Sequence, residues 1–207
     1  MRGRLVFSVA AAAALAIPAQ AQTMHPSAQS ETYSTEAHQR PADDEAAPVS
    51  SDAGAIGEDL RLKGKCDEAV PMLQPIALRG AGHEIAQLDL GLCLFDLART
   101  AKEPADAKTK RQEGAAWVLR AANAGFAKAQ AMAVVLYLDG TGVDADPVEA
   151  EKWAILYHRN GMRLGIGLPD TAPALRQRLD AALDDKKQDE AEARARAWTP
   201  PQVSADE

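Results

Sequence analysis

The sequence predicts an all-α chain built of paired helices, and three observations carry that expectation. Alanine supplies 44 of the 207 residues, while Val, Ile and Thr together supply 24 and aromatics only 4%. Alanine at that density favours closely packed helices, and so few β-branched and aromatic residues are poor material for a sheet. An all-β sandwich is excluded on that ground, and a doubly wound α/β enzyme fold is disfavoured. Next, Gly82 and Gly125 are each separated by three residues from an Ala-Gln pair, and each pair opens an apolar helical run. Finally, Trp117 precedes Gly125 by eight residues, Trp153 precedes Gly161 by eight, and Met72 precedes Gly80 by eight. The glycines at 82, 125 and 161 are 43 and 36 residues apart, so the helix pairs have a period near 36. The seven additional residues of the longer interval are assigned to polar residues 100–110, expected as an enlarged loop.

Residues 1–21 read as a secretory signal peptide. Arg2 and Arg4 form a positive start, residues 5–17 are apolar except for Ser8, and Pro18 closes the run. Ala19, Gln20 and Ala21 make a small-x-small site, so cleavage is expected after Ala21. A membrane anchor needs roughly 20 apolar residues, which this run does not reach. No cysteine stands at the cleavage site, so a lipid anchor is not expected either. Cleavage would remove two arginines and no acid, taking the formal charge from −7 to −9. An acidic protein of this kind is a poor partner for nucleic acid or an anionic membrane, and no stable membrane insertion is expected.

Residues 22–55 contain no Leu, Ile, Phe or Trp, but they hold Pro26, Pro41, Pro48 and the acidic cluster Asp43, Asp44 and Glu45. Such a stretch buries too little apolar surface to offset chain entropy, and a disordered linker is expected. His25 and His38 stand singly, without metal-ligand spacing.

The helical region runs over 56–170. Cys66 lies just before a helix ending near Arg79, and Cys93 lies within a helix starting near Glu84. In an antiparallel hairpin, facing residues are equidistant from the turn. The midpoint of 66 and 93 is 79.5, inside the turn at residues 79–82, so the two thiols are placed to meet. Export would deliver them to an oxidising compartment. A Cys66–Cys93 disulfide is therefore expected, stabilising the fold by about 3.5 kcal/mol through loop closure. Two buried free thiols are the alternative.

Further along, Gly140 suits a left-handed helix cap. Asp146 suits an N-cap, with Pro147 at the first helical position and Glu149 three residues after the cap. Gly140, Thr141 and Gly142 are not read as a phosphate cradle, because no lysine follows and no strand precedes. Gly165, Ile166 and Gly167 fail the same test, and Pro169 marks them as a connector. Ala86, Ala121, Ala122 and Ala129 are small enough for close helix approach. Trp117 and Trp153 are expected to fill the gap within each helix pair rather than to form a cofactor cage.

Together, Ala129-Gln130, Tyr137, Gly140-Thr141-Gly142-Val143, Asp146, Ala150, Trp153 and Gly161 resemble the Sel-one-like repeat, a branch of the tetratricopeptide-like α/α repeats. The earlier unit supplies Ala86-Gln87, Leu90-Gly91, Ala116-Trp117, Ala121-Ala122 and Gly125, but lacks Gly-x-Gly-Val. The later unit departs in having Ala133-Val134 for Leu-Gly and Tyr157-His158 for Ala-Ala. A partial unit at 67–80 precedes both, and the resemblance covers about residues 57 to 198. It implies an α/α repeat solenoid with a helical cap over 171–198, followed by a disordered tail at 199–207. The repeat core it implies is Ala86, Gly91, Trp117, Gly125, Ala129, Tyr137, Gly140, Gly142, Ala150, Trp153 and Gly161. Disulfide pairing of consecutive repeat helices is also what the resemblance implies for secreted members.

The function so implied is that of a secreted, periplasmic protein that binds a protein or peptide partner as an adaptor or regulator of envelope processes. Tyr157, His158 and Arg159 are the contact candidates. Some disulfide-bearing members are described as penicillin-binding or β-lactamase-like, so a cell-wall hydrolase is the alternative. No serine here is followed by lysine three residues on, as a serine β-lactamase requires. His83 and His158 are isolated, and Asp184, Asp185, Asp189 and Glu190 read as a solvated helical face. No catalytic, cofactor-binding or metal-binding residue is expected.

Overall fold

The computed structural model describes residues 51–200, and the regular elements among the described residues are all helices. In chain order they are α1 (Ser51–Leu62), α2 (Cys66–Ala77), α3 (Glu84–Thr100), α4 (Pro104–Asn123) and α5 (Ala127–Asp139), then α6 (Pro147–Arg159), α7 (Gly161–Gly165), α8 (Pro173–Ala182) and α9 (Asp185–Ala197). The expected signal peptide, most of the expected linker and residues 201–207 lie outside the described residues. The helices through α7 pack mainly on their neighbours in sequence, while α8 and α9 both fold back onto α6. Among the described residues no helix is long and apolar enough to cross a membrane.

The expected linker at 22–55 reaches too far, because α1 already begins at Ser51. Asp52 suits the first turn of this helix, and Ala53 packs against an apolar cluster contributed by α2 and α3. The expected loop at 100–110 is corrected as well. Thr100 ends α3, a three-residue link follows, and Pro104 starts α4. The polar residues there form helix because Pro104 suits the first position, Asp106 and Lys110 pair one turn apart, and Ala107 is buried. The longer interval between glycines is thus about two extra turns of helix. The expected helical cap at 171–198 divides into α8 and α9, and Asp184 between them caps α9 by accepting from the Lys187 amide at 2.9 Å.

Two clusters make up the core. One joins α2 and α3 around Cys66, Leu73, Leu90 and Cys93, and the other joins α4, α5 and α6 around Val118, Val134, Leu136 and Trp153. Cys66 and Cys93 form the disulfide, with their Cα atoms 4.9 Å apart. The antiparallel pair α3–α4 crosses glycine on glycine. A Cβ on Gly91 would stand 2.7 Å from the Gly114 carbonyl oxygen, and one on Gly114 would stand 2.9 Å from the Gly91 oxygen. Gly142 is fixed twice over: its φ is +75°, and a Cβ there would lie 2.1 Å from the Arg111 carbonyl oxygen.

The two tryptophans do not share one environment. Trp153 is buried, whereas Trp117 is half-buried with the Arg120 guanidinium 5.6 Å over its ring. The extended α4 carries Trp117 to the edge of the disulfide cluster instead of the centre of the other. Gly161 also differs from its counterparts. Gly82 and Gly125 have φ of +85° and +86°, but Gly161 is the exposed first residue of α7 and has no positive φ. Asn160 makes that turn instead, its side chain capping the amides of Met162 and Arg163.

The remaining core assignments fall as the helices require. Ala86, Ala129 and Ala150 are buried, Gly140 takes the left-handed cap at φ +67°, and Tyr137 is half-buried. Asp146 accepts from the Val148 amide at 3.0 Å and the Glu149 amide at 3.1 Å. The Glu149 carboxylate does not return the bond. It meets Lys152 and Arg194, and the Asp146 amide donates to the Tyr137 carbonyl at 2.9 Å.

Candidate partner-binding face

The Ala-Gln pairs have a mechanical role that explains where the surface opens. Gln87 Nε2 donates to the carbonyls of Gly80 at 2.9 Å and Ala77 at 3.2 Å, capping the end of α2. Gln130 Nε2 donates to the Ala122 carbonyl at 3.4 Å, near the end of α4. Each glutamine lies in the first turn of a helix and ties it to the preceding one. The first turns of α3, α5 and α7 are thereby brought to one side of the described unit, beside α1.

On that side lie two adjoining cavities. One, of about 300 Å³, is enclosed by Arg61 of α1, Ile85, Leu88 and Asp89 of α3, Phe126 at the start of α5, and Ile166 after α7. The other, of about 400 Å³, runs from the turn at 80–82 past Gln87 to Arg120 and Ala124, and shares Phe126 and Met162 with the first. Large apolar side chains stand in solvent around them: Ile85 is 56% exposed, Met162 48% and Ile166 61%. Single exposed apolar residues are ordinary, but three bordering one apolar hollow make a patch of the kind that takes a partner.

Two polar groups are set into the walls. The Asp89 carboxylate is 4% exposed and its Oδ1 lies 2.6 Å from Arg61 Nε, while Oδ2 has no hydrogen-bond partner. Burial pushes the Asp89 carboxyl above the usual carboxylate range, against the pull of Arg61. Gln87 is 1% exposed, and its Oε1 likewise has no hydrogen-bond partner. Each hollow is thus backed by a buried acceptor that lacks a donor, a deficit that an N–H group would make good.

The expected contact residues lie elsewhere and are only partly brought together. Tyr157 is buried, with its hydroxyl donating to the Pro169 carbonyl at 2.6 Å and the Arg163 guanidinium 5.4 Å over its ring. It is therefore a packing residue and not a surface contact. Burial raises its phenol above the usual range, with Arg163 opposing. Arg163 is itself buried and donates to the carbonyls of Tyr157 and His158, closing the end of α6. His158 and Arg159 are exposed beside a hollow of about 300 Å³ that Ile155, Asp170 and Arg176 also line, and His158 pairs with Asp170. The apolar face was not foreseen, because its walls come from residues spread between 58 and 168. The visible signal was the run of apolar residues Met162, Leu164 and Ile166 in a segment too short to bury them.

Among the described residues no group of three or more His, Cys, Asp and Glu side chains is arranged to hold a metal ion. No protein-family model and no curated protein matches the chain.

Proposed function

We propose that the chain is an exported, periplasmic α/α repeat solenoid that binds a protein partner, as an adaptor or regulator, through the face formed by α1 and the first turns of α3, α5 and α7. The observation that carries this reading is the pair of adjoining cavities bordered by solvent-exposed Ile85, Met162 and Ile166. A solenoid of helix pairs offers the first helix of each pair along one continuous surface, suited to an extended segment. The recurring glutamine cap at 87 and 130 supports the repeat reading, and the Cys66–Cys93 bridge supports residence in an oxidising compartment. The likeness to Sel-one-like repeats points the same way.

A photo-crosslinking residue placed at Ile85 or Ile166 in the exported protein tests the reading. Both positions are expected to give the same discrete adduct, absent when the crosslinker sits at exposed Lys186 on α9. With the crosslinker kept at Ile85, changing Met162 and Ile166 together to serine should abolish that adduct while leaving the helical circular dichroism unchanged. Equal labelling from Lys186, or no adduct from either isoleucine position, would remove the support for this face.

A further inference from the structure

We infer that the 400 Å³ cavity beside Gln87 is a carboxamide pocket, which receives an asparagine or glutamine side chain of the bound partner segment. The inference rests on the reading of this face as a binding surface, and it follows from comparing two equivalent junctions in the same chain.

At the later junction the site is filled from within. Asn160 Nδ2 donates to Gln130 Oε1 at 2.8 Å and to the Gly125 carbonyl at 2.8 Å. Its Oδ1 accepts from the Met162 amide at 2.9 Å and the Arg163 amide at 3.2 Å. The NH2 of one carboxamide thus satisfies the repeat glutamine and the repeat glycine together, while its oxygen caps α7.

At the earlier junction the same frame is present without the filler. Gln87 stands where Gln130 does, Gly82 where Gly125 does, and both glycines have left-handed backbones. Gln87 Nε2 is committed to the carbonyls of Gly80 and Ala77, which leaves Oε1 as its remaining polar atom, buried and without a hydrogen-bond partner. A buried acceptor in that state is costly, so a donor that reaches it is favoured. The residue before the repeat glycine, Asn160 at the later junction, is Ala124 here, which brings no polar group. The cavity lies against Gln87, Gly82 and Ala124, and the charged side chains on its wall are Arg120 and Glu84.

A ligand carboxamide seated as Asn160 is would donate its NH2 to Gln87 Oε1 and the Gly82 carbonyl. Its oxygen would face the Arg120 guanidinium. Other side chains match this wall less well. A carboxylate has no hydrogen to give to Oε1 and would meet Glu84 on the same wall, and a leucine leaves Oε1 unpaired.

The test uses the full mature chain uniformly labelled with nitrogen-15, so that backbone and side-chain amides are both seen, titrated with the acetyl, methylamide derivatives of asparagine, aspartate and leucine. The asparagine probe is expected to shift the Gln87 side-chain resonances, and the aspartate and leucine probes are expected to leave them in place. Ala124→Met, at an exposed position on the cavity wall, should remove the asparagine response without touching Gln87. A full response in that variant, or an equal response to aspartate, overturns the inference. If all three probes shift Ile85 and Met162 but leave Gln87 unmoved, the pocket is lost while the binding face stands. If no probe shifts any resonance on this face, both are lost.

Discussion

Gly91 and Gly114 let two helix backbones touch, and this contact has a checkable cost. A methyl group on Gly91 would meet both the Gly114 carbonyl oxygen and Val118 Cγ2 at 2.7 Å. Overpacking of this kind costs about 1–3 kcal/mol, so Gly91→Ala should lower the urea midpoint of the oxidised protein by a corresponding amount. An unchanged midpoint would mean that α4 moves aside freely. Asp89 makes a prediction of opposite character. Burial raises its folded-state pKa above the ordinary 3.8, so the folded state holds that proton more tightly than the unfolded chain. Its contribution to stability is therefore best at acid pH and declines as pH rises above 3.8 through the raised value. Asp146 has the reverse sign. Although burial opposes it, the Glu149 amide and Arg194 hold its pKa down, and its stabilisation is lost as pH falls. The difference between Asp89→Asn and the parent, measured by denaturant unfolding across this range, should grow in favour of the variant as pH rises. A flat difference would show that Arg61 fully compensates the buried charge. Tyr157 shares the buried helical stripe of Ala150, Trp153 and Ala154, which its assignment as a surface contact overlooked. Gln87 was legible as a repeated residue, but its buried acceptor was not, because the Gly80 and Ala77 carbonyls it caps come close only after the turn forms.

Among the elements, α8 and α9 are held on more by charge than by apolar area. Leu179, Ala191 and Ala195 are their buried apolar residues, supplemented by Trp198 edge-on to Trp153 with ring centroids 6.3 Å apart. The fixing point is Glu151, a buried carboxylate on α6. It accepts from Arg176 Nη1 at 3.0 Å, Arg176 Nη2 at 2.6 Å and Gln188 Nε2 at 3.0 Å, so one side chain joins three helices. Arg176→Ala would leave that carboxylate partly unpaired, at about 1.5–3 kcal/mol, the range for hydrogen bonds to charged groups. The loss should be local: hydrogen exchange is expected to quicken across 173–197 and to stay slow in α3–α5. Equal quickening throughout would show that the tail is integral to the main core. Helix existence was legible here from composition, yet the break between α8 and α9 was not, since no glycine or proline marks it. The reverse error arose at 100–110, where polarity suggested a loop. A helix that exposes most of one turn needs only capping and charge pairs one turn apart, and Asp106 with Lys110 supplies one such pair.

Across the whole described unit, packing between sequence neighbours ties the N-terminal helices α1 and α2 to the rest through α3. The helix α2 contains Pro71 and Pro75, each lacking the amide that would continue the helical ladder. It is retained by a narrow buried stripe (Cys66, Ala69, Leu73, Ile76 and Ala77), by the Gln87 cap, and by the bridge from its first residue to Cys93. Two of those five residues are alanine, which contributes little burial per residue, so the bridge carries a large share of the stability of this end. Reduction, or paired Cys66→Ala and Cys93→Ala substitution, should cost about 3.5 kcal/mol by the entropy of closing a loop of this length. Because α6, α8 and α9 pack among themselves away from the bridge, the loss should be graded along the chain and not shared evenly. Amide exchange in α1 and α2 is expected to approach open-chain rates first. The face bordered by Ile85 should follow, since α1 forms one of its walls, while α5 and α6 keep their protection. Partner crosslinking at Ile85 should therefore fall with added reductant before the total helical signal does. If crosslinking and helical signal are lost together in one transition, the chain unfolds as a single cooperative block and the bridge stabilises all of it alike.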